Sequence, residues 1–240
     1  MKPSIESLST RFINYIRKSI VENKGFLVFV FFVFVTRWSF IDHYRVPTGS
    51  MIPTIQIGDH VFVNKMAYSV KLPFTDIHMF ETGTPKKGDI VVFQYPVDPS
   101  INYVKRLVAV PGDKVEIHNG FLKINDRLTL KYEDQYLDLF GKLSSQEDSY
   151  TFTEVLSNKD FKVQRVPLKA QDHQISLVVP KDKYFFMGDN RDNSADSRFW
   201  GFAPKHYLMG KASRVLFSIT FDGLIPHVKF LRIGKSLTSL

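Results

Sequence analysis

Cysteine is absent from the 240 residues. Its absence excludes disulfides, zinc–thiolate sites, iron–sulfur clusters and thiol catalysis. No apolar run reaches the length of a comfortable membrane helix, no internal repeat or low-complexity tract is visible, and no long stretch of period 3.6 follows residue 45. Neither charge dominates strongly: 32 Lys and Arg stand against 24 Asp and Glu, a net +8. At 44% hydrophobic and 23% charged the composition is that of an ordinary folded protein, which excludes disordered and collagenous classes. The basic residues are spread along the chain with no aromatic–basic platform, so the charge points away from nucleic acid.

The apolar residues are unevenly placed. Six of the 22 Phe fall between Phe26 and Phe40, and Gly25–Val35 is a run without a polar side chain. As a helix that run covers only about 16 Å. Continuing through Arg37, Trp38 and Ile41 gives roughly 25 Å, short of the ~30 Å hydrocarbon core but workable if Arg37 snorkels and the bilayer thins. Residues 25–42 are therefore expected to be an uncleaved transmembrane anchor, since no small-x-small cleavage pattern follows. A buried strand is the competing reading, but the run is long for one. Residues 1–24 hold Lys2, Arg11, Arg17, Lys18 and Lys24 against Glu6 and Glu22. That bias keeps this end cytoplasmic and sends the remainder across, a single pass through the inner membrane with membrane lipid as a partner. Phe12, Ile16 and Ile20 recur every four residues, which fits either an amphipathic helix over 9–21 or a solvated basic tail.

After Val46 short alternating runs take over: 60–70, 89–97, 102–110, 113–126, 182–190 and 210–221. Pro and Gly separate them, and Asn119–Gly120 between two such runs is a hairpin signal. The expectation is a mainly β, antiparallel catalytic core built from 43–113 and 182–240, with an inserted β-rich subdomain over 114–181. Within the insertion, Lys131–Lys169 is polar and weakly patterned, and reads as an excursion or subdomain rather than core.

Four stretches look unlike ordinary strands or loops. VPTGSMIPT (46–54) fixes one hydroxyl between two prolines and a glycine. YVKRLVAVPGD (103–113), read as a strand, puts Tyr103, Lys105 and Leu107 on one face and Val104, Arg106 and Val108 on the other. One basic residue must then point inward if either face is buried; a snorkelling surface lysine is the plain alternative. GDIVVF (88–93) turns into a buried strand. GDNRDNSADSRFWG (188–201) is a dense polar loop, either solvated or a hydrogen-bonded scaffold with Asp196 and Arg198 as an ion pair.

In this order, and together with 81–89 and Arg232-Ile233-Gly234, these stretches resemble bacterial type I signal peptidases, the membrane-bound serine proteases that remove signal peptides from exported preproteins. The resemblance runs from about Phe26 to Gly234. It implies Ser50 as nucleophile, Lys105 as general base and Ser194 as the hydroxyl that positions the lysine. It implies an oxyanion hole from the Ser50 N–H and the hydroxyl of Thr48, where many members have Ser. Val46, Pro47, Met51, Ile55, Tyr103 and Val104 match positions around shallow pockets for small side chains, as in Ala-x-Ala. Asp189, Asp196 and Arg198 match supporting positions. The substrates would be signal peptides, with an export translocase as a further candidate partner, and no metal or cofactor is required. The family's Gram-negative members often carry two membrane segments before the serine; here there is room for one.

A serine–lysine pair is chemically sensible here, because none of the seven His lies in these stretches. A lysine at its reference pKa is neutral in roughly one molecule per thousand near pH 7.5, and burial that lowers it by about 2.5 units makes about a quarter neutral. Two other readings compete: a membrane-tethered β-domain that binds exported proteins without cutting them, and a Ser–Lys self-cleaving repressor, which would be cytosolic.

Overall fold

A computed structural model describes residues 5–72, 75, 77–118, 120–131, 149–166 and 174–237. Two helices open the chain, α1 (Ile5–Glu22) and α2 (Lys24–Ser39). Phe26, Phe29, Phe31, Phe32 and Phe34 of α2 are all exposed. Among the described residues no single helix is long and apolar enough to cross a membrane. Thr10–Glu22 and Lys24–Ser39 together, bent by 72°, qualify by length and composition.

The helix does not fill the whole segment expected as an anchor, 25–42. The helix stops at Ser39, and Ile41–Arg45 forms β1. The reason is pairing: β1 lies antiparallel on β2 (Asp59–Asn64), and the Lys65 N–H donates to Phe40 O at 3.0 Å. Lys65 Nζ also donates to Trp38 O at 3.1 Å. With 16 residues, α2 spans roughly 24 Å.

The strands follow as β3 (Ser69–Lys71), β4 (His78–Glu81), β5 (Ile90–Gln94), β6 (Asn102–Ala109), β7 (Lys114–His118), β8 (Phe121–Ile124), β9 (Arg127–Leu128), β10 (Tyr150–Leu156), β11 (Lys159–Arg165), β12 (Ile175–Val178) and β13 (Lys183–Met187). A one-turn helix α3 (Ser197–Trp200) precedes β14 (Ala203–Pro204), β15 (Leu208–Asp222) and β16 (Ile225–Val228). The main antiparallel sheet runs β1-β2-β15-β5-β6-β13-β14, with β16 pairing on β15. It joins strands from both ends of the chain because β15 is long enough to pair with β2, β5 and β16. Strands β7–β12 lie between β6 and β13 in sequence. They make a four-stranded sheet, β12-β7-β8-β9, and the hairpin β10-β11.

β7 and β8 pair antiparallel through His118↔Phe121, as the Asn119–Gly120 signal implies; Asn119 itself lies outside the described residues. The expectation that Lys131–Lys169 contributes nothing to the core is overturned where the segment is described. Phe152, Leu156, Phe161 and Val163 are buried in one cluster with Val108, Phe185 and Met187 of the main sheet. Their side chains alternate along the hairpin and bury one face against that sheet, which period-2 burial requires. A second cluster joins Val46, Met51, Ile55, Val61 and Leu237, and a third joins Phe93, Leu107, Tyr184 and Phe186. β6 is thus covered on both faces.

Candidate active site

Two elements bring the expected nucleophile and base together. β5 and β6 pair with Val91 opposite Lys105, in the middle of the sheet where the backbone is least free to move. Ser50 sits in the turn just after Val46, where the chain leaves β1 and before it enters β2. Ile52 N–H donates to Gly49 O at 3.2 Å and Ile55 N–H to Met51 O at 2.9 Å, so the turn is tied locally on both sides of the serine. Lys105 Nζ lies 2.5 Å from Ser50 Oγ, across 55 residues of sequence. Ser50 is 8% exposed and Lys105 5%.

Burial lowers the Lys105 pKa to about 8. Asp196 and Asp189 pull it back up and Arg198 pushes it down, but desolvation is the largest influence. Each of the two carboxylates is itself paired with an arginine. Asp189 receives Arg106 Nε at 2.7 Å and Nη2 at 2.6 Å. Asp196 receives Arg198 Nε at 2.7 Å and Nη2 at 2.8 Å, and the Gly188 N–H at 3.0 Å. Burial opposes the charged form of Asp196, yet Arg198 and these hydrogen bonds hold its pKa below the ordinary aspartate value. A shift of Lys105 from 10.5 to about 8 corresponds to about 3 kcal/mol of lost preference for the ammonium. The neutral amine then makes up about a quarter of molecules near pH 7.5. The ring of Tyr103 lies 5.2 Å from Nζ, and stacks on Tyr95 at 4.4 Å.

The polar loop 188–201 is a scaffold. Asn190 N–H donates to Ser50 O at 3.0 Å and Asn190 Nδ2 to Gly49 O at 3.1 Å, so the loop grips the backbone on both sides of Ser50. Thr54 Oγ1 donates to Asp189 Oδ2 at 2.5 Å. Gly188 is required by close approach: a Cβ there would collide with Ser50 O and with the Ser194 side chain. Ser194 is buried beside Gly188 and within the electrostatic reach of Asp196. Its Oγ lies close enough to Asp196 to favour the carboxylate and makes no hydrogen bond to Lys105 in this conformation.

The remaining expected residues divide by exposure. Pro47 and Thr48 are exposed beside Ser50, and Tyr103 and Val104 are half-buried at the open end of β6. Val46, Met51 and Ile55 are core, with Met51 and Ile55 wholly covered. Val46 keeps 4% of its surface exposed, and of the expected lining the more accessible residues are Pro47, Tyr103 and Val104. Several groups have no forecast in the sequence reading. Arg106 as partner of Asp189, the buried Arg191–Glu154 pair (2.8 and 2.8 Å) and the Arg165–Asp192 pair (2.7 Å) all bind loop 188–201 to β6, β10 and β11. The Asp/Arg density of GDNRD was the only signal available for them.

The arrangement is that of an acylating hydrolase: a hydroxyl, a desolvated amine at hydrogen-bond distance, and a frame that neutralises other charges. The sequence model described as signal peptidase, peptidase S26, matches residues 19–217. Signal peptidase I of Pseudomonas aeruginosa is 34% identical over 223 residues, covering 88% of this chain and 77% of its own. Signal peptidase I of Aquifex aeolicus is 34% identical over 244 residues, covering 88% and 87%. Signal peptidase I of Buchnera aphidicola from Baizongia pistaciae is 33% identical over 265 residues, covering 93% and 86%.

Proposed function

Since the chain belongs to the signal peptidase family, peptidase S26, we propose that it removes signal peptides from exported preproteins with Ser50 as nucleophile and Lys105 as general base. The observation that carries the reading is the 2.5 Å contact between two buried side chains, one of them a lysine shifted to about 8. In the neutral form, Lys105 accepts the Ser50 hydroxyl proton as Oγ attacks the peptide carbonyl. The tetrahedral oxyanion is met by the Ser50 N–H and the Thr48 hydroxyl. Collapse breaks the C–N bond, and the Lys105 ammonium returns its proton to the departing amine. The signal peptide is then an ester on Ser50. Lys105 takes a proton from a water molecule, the water oxygen attacks the ester, and the proton passes to Ser50 Oγ as the acid leaves. Arg106 and Arg198 support this by neutralising Asp189 and Asp196, whose free charges would keep Lys105 protonated.

Specificity for small-x-small sites fits exposed Pro47 and half-buried Tyr103 and Val104 above a filled core. The bent α1–α2 pair and the basic excess before residue 25 support attachment to the inner membrane, with the β domain on the extracytoplasmic side.

The test is cleavage of a purified preprotein. Ser50→Ala and Lys105→Ala should each remove nearly all activity and keep the fold, because the pair acts as a unit. Lys105→Arg should fail too, since a guanidinium stays protonated. Substantial cleavage by Lys105→Arg would end the general-base assignment.

A further inference from the structure

The nucleophile's loop, residues 46–59, closes on itself at its ends. Val46 N–H donates to Asp59 O at 2.9 Å, and Gly58 N–H donates to Val46 O at 3.0 Å. One side of the loop is held by 188–201 through Asn190 and Thr54. The other side is held from the far end of the chain. After β16 a tight turn, Phe230–Arg232, brings Arg232 back under the loop. Arg232 Nη2 donates to Thr54 O at 3.0 Å, across 178 residues. Its Nε and Nη2 meet Asp59 Oδ1 and Oδ2 at 2.8 and 2.5 Å. Asp59 Oδ2 in turn accepts the Gln56 N–H at 2.9 Å. The segment that carries Arg232 is itself fixed. Gly234 N–H donates to Val215 O at 2.8 Å, Val215 N–H to Lys235 O at 2.9 Å, and Leu237 N–H to Ser213 O at 2.9 Å. Leu237 is buried in the same cluster as Met51 and Ile55.

We propose that Arg232 is a positioning residue for cleavage: the C-terminal segment uses its guanidinium to fix Thr54 and Asp59, and through them the placement of Ser50 Oγ against Lys105. The proposal rests on Ser50 being the nucleophile. Thr54 is the residue where the two holds meet. Its carbonyl accepts from Arg232 while its hydroxyl donates to Asp189, which pairs with Arg106 next to Lys105. A shift at Thr54 is therefore felt by nucleophile and base together. The short turn from Ser50 to Ile55 has little slack to absorb it. Three acceptors arranged around one guanidinium suit the planar fork of arginine, and a lysine ammonium cannot reach all three in the same geometry. Asp59 is wholly buried, so losing its partner also loosens the return of the loop into β2.

The experiment uses the full chain in detergent micelles, with kcat and KM measured on one preprotein and normalised to the folded fraction from circular dichroism. A misplacement on the order of 1 Å lowers kcat by up to about 100-fold, so Arg232→Ala and Arg232→Lys should both lose about 10- to 100-fold in kcat with KM within about threefold. Guanidinium ion at concentrations that leave the wild type unaffected should restore much of the kcat of Arg232→Ala and none of that of Arg232→Lys, whose side chain fills the space. Either variant keeping kcat within twofold overturns the proposal. So does a loss in Arg232→Ala that vanishes on normalisation to folded protein, or that guanidinium does not relieve while Arg232→Lys is fully active. Ser50→Ala is assayed alongside: if it still cleaves, the nucleophile assignment fails and the proposal with it; if it is dead and the Arg232 variants are normal, only the positioning role falls.

Discussion

Arg198 offers the sharpest test of how the site makes a base of a lysine. It meets Asp196 through two hydrogen bonds, and the pair lies in the buried cluster that surrounds Lys105. Replacing Arg198 by Met removes the cation and leaves the Asp196 carboxylate, still held by the Gly188 N–H, facing the amine without compensation. An unpaired charge in such a cluster, at an effective dielectric of about 20, acts with an energy on the order of 1–2 kcal/mol, about one pKa unit. The sign is definite: a carboxylate favours the ammonium, so the Lys105 pKa rises from about 8 toward 9. The neutral fraction at pH 7.5 then drops from about a quarter to about a thirtieth, and kcat/KM drops about eightfold. Above about pH 10 both enzymes hold a neutral lysine and the difference closes. The assay is kcat/KM against pH on one preprotein, where the acid limb reports Lys105 in the free enzyme. The double variant Asp196→Asn with Arg198→Met removes both charges and should return the limb to near 8. An Arg198→Met profile that is lowered equally at every pH, with its limb unmoved, would refute the claim that paired carboxylates tune the lysine.

Thr48→Ala and Thr48→Val should each lower kcat by about 10²- to 10³-fold with little change in KM, as expected for one oxyanion donor, while Thr48→Ser keeps most of the activity; Val working better than Ser would show that Thr48 only shapes the turn. Glu154→Gln leaves the buried Arg191 unpaired, so stability should fall by about 3–5 kcal/mol, read as a thermal midpoint lowered by about 10 °C; replacing both residues by Met should recover most of it, and an unchanged midpoint in Glu154→Gln alone would disprove the role assigned to the pair. Protease added outside intact spheroplasts should cleave beyond residue 45 and spare residues 1–24, and protection of the β domain would reverse the orientation inferred from the basic excess.

The dyad was expected from the sequence only through the joint order of its stretches: a hydroxyl near two prolines also fits an ordinary turn, and a basic residue inside an apolar alternation also fits a snorkelling surface lysine. The strands around it were legible from their alternation, and the Asn119–Gly120 turn from its two residues. The turn of the second hairpin was harder to see. Ser157 and Asn158 both adopt positive φ, 50° and 63°, as a two-residue hairpin of this hand requires. Ser-Asn signals that much more weakly than Asn-Gly.

That one missed hairpin had consequences for the site. The alternation of β6 allowed a single inward basic residue so long as only one face was thought to be buried. With β10 and β11 packed over the other face, Arg106 is enclosed as well, its guanidinium 4.2 Å above the Phe161 ring and bound to Asp189. Two adjacent buried cations on opposite faces of one strand are tolerable only because their treatment differs. Arg106, which cannot lose its proton, is given a carboxylate 83 residues away in sequence. Lys105, which can, is given a serine and no carboxylate at hydrogen-bond distance among the described residues. The same division holds around the loop: Arg191, Arg198 and Arg232 each meet a buried carboxylate. Long-range pairs of this kind leave no periodic trace in a sequence, since each partner alone is one more Asp or Arg in a polar stretch. Their effect converges on a single side chain, because where each buried arginine of the site meets a carboxylate, desolvation is the largest influence on the charge of the remaining lysine.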